Sequence, residues 1–117
     1  MKNYSDLEIY QLAHNLAIEI HKITLELPNF EVYEEGSQIR RSSKAVSANI
    51  VEGFGRRKYK ADYMRFLIYA HASCDETIEH LKFLFETGSF KNKKHFDVLI
   101  EEYTKLSKKI NKFLQAF

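Results

Sequence analysis

A chain of 117 residues that holds a single proline, Pro28, and only four glycines has few places at which to turn. A β-rich fold spends Gly, Pro and Asn on frequent turns, so this economy points to long helices with short connections. The length suffices for one hydrophobic core and not for two, and residues 1–117 read as one domain. Hydrophobic residues make up 44% and charged residues 29% of the chain, a balance that excludes wholesale disorder.

Hydrophobic periodicity places four helices. The first is expected over about 6–27, opened by Ser5-Asp6-Leu7-Glu8 as a capping box and closed before Pro28. Its stripe is Ile9, Ala13, Leu16, Ile20, Ile23 and Leu27, spaced alternately by four and three. Residues 29–33 read as a short connection. The second helix spans about 34–52, with Ile39, Val46, Ile50 and Phe54 facing the core, Gly53 as C-cap and Gly55 just beyond. The third, about 60–87, carries Tyr63, Leu67, Ala70, Cys74, Thr77, Leu81 and Leu84 and stops at Gly88. The fourth, about 92–114, repeats Phe96, Leu99, Tyr103, Leu106, Ile110 and Phe113 in heptad spacing. The expected fold class is all-α, an antiparallel up-down four-helix bundle.

Location follows from what the sequence lacks. The opening residues, Met1 to Asp6, lack the basic-then-apolar pattern of a signal peptide, and the longest nearly apolar run, Phe66 to Ala72, is too short to span a bilayer. Cys74 is alone, which fits a reducing compartment. The expectation is a cytoplasmic protein without membrane contact.

Two helices carry more than a core stripe. On the second, Gln38, Arg41, Asn49 and Glu52 share a polar face, and Glu52 opposes the dipole of the last helical turn. With Ser73 and Glu76 of the third helix they are expected to form a hydrogen-bonded polar seam, between the two helices or across a subunit contact. Glu52 is expected to find Arg41 or a basic residue of another helix or subunit. The third helix has a second stripe of Phe66, Tyr69, Ser73, Glu76, His80 and Phe83. Large aromatics among polar groups are the composition of a protein interface, so Phe66, Tyr69, His80 and Phe83 are the expected oligomer contacts.

Charge is unevenly spread. From Ser37 to Lys60 the chain holds Arg40, Arg41, Lys44, Arg56, Arg57, Lys58 and Lys60 against Glu52 alone, although the whole chain is only +2. Arg40, Lys44, Arg56, Arg57, Lys58 and Lys60 are expected to form a basic surface for phosphates, with Tyr59 as a stacking platform.

The run from Gln38 to Gly53, with its Asn49-Ile50-Val51-Glu52-Gly53 core and the Gly55-Arg56 that follows, resembles the signature of the bacterial 23S rRNA intervening-sequence proteins. Asp6 to Gln11, Phe66 to Ala70 and Ser73 to Glu79 resemble that family's opening and third helix. The resemblance implies four antiparallel helices and a ring-shaped homo-oligomer, a pentamer. Some members are encoded within insertions in 23S ribosomal RNA genes. A related group, the accessory variability proteins of diversity-generating retroelements, binds a reverse transcriptase and nucleic acid through a basic surface. RNA or DNA, and a reverse transcriptase or another protein, are thus the partners it implies.

Catalytic and metal-binding patterns are missing. No Glu stands three residues before any of His14, His21, His71, His80 or His95, so the paired Glu-x-x-His of di-iron bundles is absent. His14 and His21 share a helix face, seven residues apart, and read as ordinary surface or interface histidines. There is no Gly-x-Ser-x-Gly, phosphate loop or dinucleotide fingerprint. No cofactor, metal or enzymatic activity is expected. The function expected is a non-enzymatic oligomeric scaffold for nucleic acid or a nucleic-acid-processing partner. The alternative is a structural oligomer with no nucleic-acid role. A remoter one is a HEPN-type ribonuclease, suggested by the spacing of Arg65 and His71.

Overall fold

The structure, a computed structural model, describes residues 3–117. A 3-10 turn at Tyr4–Asp6 leads into α1 (Glu8–Thr24), a short helix α2 (Asn29–Tyr33), α3 (Glu35–Gly55), α4 (Lys60–Glu86) and α5 (Lys93–Gln115). Among the described residues there is no strand. No helix is long and apolar enough to cross a membrane.

The four long helices enclose one core. α3 packs most extensively on α4, while α1 packs on α3, α4 on α5, and α1 also touches α5. Residue pairs fix the register. Phe85 stacks on Phe96 with ring centroids 4.3 Å apart, the Cys74 thiol donates to the Tyr103 carbonyl at 3.4 Å, and Ser107 meets His71 at 3.0 Å. The α4 stripe from Tyr63 to Leu84 is buried at all seven positions expected of it. Leu99, Tyr103, Leu106 and Ile110 are buried on α5, with Phe96 and Phe113 partly covered at its ends. Each fully buried aliphatic side chain is worth roughly 1.5–3 kcal/mol, so these stripes supply the main driving force.

Helix ends differ from expectation in ways the packing explains. The capping box lies two residues earlier. Asn3 Oδ1 accepts the Ser5 N–H at 3.0 Å and Asp6 Oδ2 accepts the Asn3 N–H at 3.2 Å, which closes the 3-10 turn and leaves α1 with Leu7 as an uncapped N-cap. α1 stops at Thr24, whose hydroxyl donates to the Ile20 carbonyl at 2.7 Å, and Leu27 is buried from the turn beyond. Residues 29–33 are helical because the Pro28 carbonyl accepts both the Glu31 and Val32 N–H groups. Gly53 is not a cap: α3 continues to Gly55. A Cβ at Gly53 would lie 3.2 Å from the Phe66 Cβ and 3.3 Å from the Tyr63 ring, so this glycine permits close approach of α4. Gly88 does stop α4, and its φ of 83° is the left-handed conformation that glycine tolerates.

Burial pushes the Cys74 thiol up to about 12, with the Asp75 carboxylate adding to the effect. The thiol ionises near its ordinary value only when the chain unfolds. Its contribution to stability is therefore complete below that value and is lost as pH rises toward about 12. Native protein at pH 8 should be inert to a thiol-specific disulfide reagent, with full reaction in denaturant. Rapid native labelling would refute this.

Candidate functional site

α3 ends because the chain must reverse to bring α4 alongside, and residues 56–59 make that turn. The Arg56 and Arg57 N–H groups close it onto the Gly53 and Phe54 carbonyls at 2.9 and 3.2 Å. The turn lies at the bundle end where Tyr63 also meets Phe113 and Phe117, with ring centroids 6.0 and 5.0 Å apart.

The basic residues of the turn fall into two kinds. Arg56 is neutralised: its guanidinium is 3.4 Å from Glu52 and 3.7 Å from Asp62, and it lies over the Phe66 ring at 4.9 Å. Arg57 is positioned but has no carboxylate. Its Nη1 donates to the Phe54 carbonyl at 2.9 Å while its guanidinium stacks 4.0 Å above the Phe54 ring, which leaves other N–H groups for a ligand. Burial pushes the neighbouring Tyr63 hydroxyl up, and the nearby Arg57 charge opposes that shift. Lys58 lies 5.9 Å from the Tyr59 ring centroid, and neither Lys58 nor Lys60 has an ion-pair partner among the described residues. Tyr59 is 63% exposed. Arg57, Lys58 and Lys60 thus flank the exposed Tyr59 along the turn without ion-pair partners among the described residues, an arrangement able to hold phosphates and stack a base.

Arg40 and Lys44 do not join this cluster. Twelve residues of helix separate Lys44 from Arg56, about 18 Å along α3. Arg40 turns away from solvent: Nη2 donates to the Val32 carbonyl at 2.6 Å, and Nη1 is buried. It ties α2 to α3, which removes it from the basic surface. Lys44 lies across from α1, with Nζ 3.1 Å from His21 Nδ1.

Within the chain the expected seam does not form. Gln38, Arg41, Glu52 and Glu76 are exposed, and Asn49 and Ser73 are half-buried. Glu52 pairs with Arg56, one turn along its own helix, and not with Arg41. The buried polar contact between α3 and α4 lies one position away on each helix, between the Ser42 and Thr77 hydroxyls at 2.8 Å. The sequence places Thr77 on the core stripe of its helix, but nothing along the chain pairs it with Ser42. Glu76 instead reaches His80 Nε2 at 3.1 Å, and His80 Nδ1 meets Glu35 at the start of α3.

The second stripe of α4 is largely uncovered. Tyr69 is 46% and Phe83 52% exposed, while Phe66 is half-buried, edge-on to Tyr69 at 5.6 Å and beneath Arg56 and Arg65. His80 is mostly covered by its carboxylate partners, so it presents less surface than the aromatic residues. Arg65 and His71 are engaged separately, Arg65 by Asp62 and His71 by Ser107 and Asp75. No three His, Cys, Asp or Glu side chains among the described residues are grouped to hold a metal ion.

Residues 5–112 match a family described as 23S rRNA-intervening sequence protein. The fold is similar to a crystal structure of a protein with unknown function from the S23 ribosomal protein family of Bacteroides thetaiotaomicron VPI-5482. The TM-score is 0.78 at 21% identity, over 92% of this chain and 95% of that one, a likeness of fold alone. No curated protein matches the chain.

Proposed function

From the premise that this chain belongs to the 23S rRNA-intervening sequence protein family, we propose that it is a non-enzymatic cytoplasmic scaffold, a homo-oligomer that binds nucleic acid through the α3–α4 turn. The observation that carries this is that Arg57, Lys58 and Lys60, which flank the exposed Tyr59 in the turn, have no carboxylate partner among the described residues. The exposed Tyr69 and Phe83, with the half-buried Phe66, span roughly 25 Å of α4 and support an assembly contact there. In the proposed assembly, up-down antiparallel bundles form a ring, a pentamer by the family resemblance, and Asn49, Ser73 and the other seam residues gain partners across subunits. The same basic turn would serve a reverse transcriptase or another protein that itself carries nucleic acid. A ring repeats the turn, so weak contacts act together.

Two measurements test it. Light scattering should give a multiple of 13.8 kDa, and a monomer mass at micromolar concentration would overturn the assembly. Single-stranded RNA should be retained at low salt without sequence preference, with log affinity falling linearly against log salt. No retention at low salt would overturn the nucleic-acid reading and leave a structural oligomer.

A further inference from the structure

A second cluster of basic side chains lies apart from the α3–α4 turn, on the face shared by α1 and α3. A groove of about 430 Å³ runs there over Ala17 and Ile18, lined by His14, His21, Lys22, Lys44 and Ser47. Its volume lies within the range of small-ligand sites. No carboxylate lines it. Lys22 and Lys44 have no ion-pair partner among the described residues, and both are exposed.

Lys22, Lys44 and His21 leave donors toward the groove, while the Ser47 hydroxyl, which donates to the Lys44 carbonyl, leaves an acceptor oxygen. A lysine ammonium can only donate, so the 3.1 Å contact from Lys44 Nζ makes His21 Nδ1 the acceptor and puts the imidazole proton on Nε2. His14 is held from the other side by Tyr10, whose ring stacks on it at 5.4 Å and whose hydroxyl lies 3.4 Å from Nδ1. The Ser47 hydroxyl is anchored to the Lys44 carbonyl at 3.1 Å. Lys44 thus has an imidazole as its neighbour where a surface lysine would ordinarily find a carboxylate or water.

The geometry points to a seat for a phosphate monoester in this groove, with Lys22, Lys44 and His21 Nε2–H as its donors and Ala17 and Ile18 beneath the organic part. A monoester presents three terminal oxygens, enough to engage donors from both helices at once. A bridging phosphodiester presents two, and a carboxylate two in one plane. The site does not rest on the nucleic-acid reading of the α3–α4 turn, and its ligand would be a nucleoside monophosphate or the 5′-phosphate end of a strand.

AMP is the probe. Titrated into the full-length protein, it should bind at one site per chain and move the ring signals of His14 and His21 in ¹H–¹⁵N spectra. Adenosine should not bind. Lys44→Ala and Lys22→Ala each remove an exposed side chain, so helicity should be kept while AMP affinity falls at least tenfold. A 5′-phosphorylated RNA trinucleotide that binds more tightly than AMP would assign the seat to strand ends, and the reverse order to free nucleotides. Equal binding of AMP and adenosine, unmoved histidine signals at saturation, or undiminished affinity in both lysine variants would overturn the seat. RNA retention is measured separately, so either result can fail without the other.

Discussion

Gly36→Ala should destabilise the protein by about 1–3 kcal/mol, a fall of roughly 4–12 °C in Tm. The glycine lies in the first turn of α3, where α2 folds back against it. A Cβ there would stand 2.7 Å from the Glu31 backbone carbonyl, with Arg40 Nη1 at 3.2 Å and Leu27 Cδ1 at 3.3 Å. The first neighbour is backbone and cannot swing aside. It belongs to a joint held on several sides: the Glu31 carboxylate accepts the Glu35 N–H at 3.2 Å and the Ser89 hydroxyl, while Arg40 grips the Val32 carbonyl. Relief would require moving α2 as a unit and breaking these ties. Gly55→Ala is the matched control, because no atom lies within 4 Å of its Cβ and its φ is negative. That change should be neutral or stabilising by up to about 1 kcal/mol. Chemical denaturation of the two variants side by side reads the difference, and equal stabilities would refute the close-packed joint.

The second large effect is expected at the α3–α4 turn. Changing Arg57, Lys58 and Lys60 together to glutamate replaces three uncompensated cations with three anions. RNA affinity at low salt should fall by roughly a hundredfold or more, because counterion release is lost and repulsion takes its place. Repetition around an oligomer would enlarge the loss. Lys58→Glu with Lys60→Glu gives a variant that spares the Arg57 stack on Phe54, so a binding defect there cannot be ascribed to unfolding. Arg56→Ala should weaken binding far less, since Glu52 and Asp62 already neutralise that guanidinium. Filter retention over a salt series distinguishes these cases. Undiminished retention by both charge-reversed variants would move the interface elsewhere on the molecule.

Much of the fold was legible along the chain. Periodicity placed the four long helices and identified the whole buried face of α4, because a helix repeats its inward face every 3.6 residues whatever it packs against. The same logic placed Leu99, Tyr103, Leu106 and Ile110 in the core. Helix ends were less legible, since they depend on which carbonyl or side chain reaches a free N–H. The Asn3–Asp6 box and the helical turn after Pro28 were both settled by such local competition.

The candidate sites divide along the same line. Sequence located the basic run from Arg40 to Lys60, but adjacency along a helix is not proximity in space. Arg40 was taken by the Val32 carbonyl, Lys44 by His21 from a helix 23 residues earlier, and Arg56 by Glu52 and Asp62. Only Arg57, Lys58 and Lys60 kept unopposed charge at the turn, because no carboxylate was carried to them. Charge and periodicity are properties of the chain itself and survive any folding. Pairing, desolvation and the merging of His14, His21, Lys22 and Lys44 into one groove exist only once α1 lies against α3, since each depends on distances that no single helix defines.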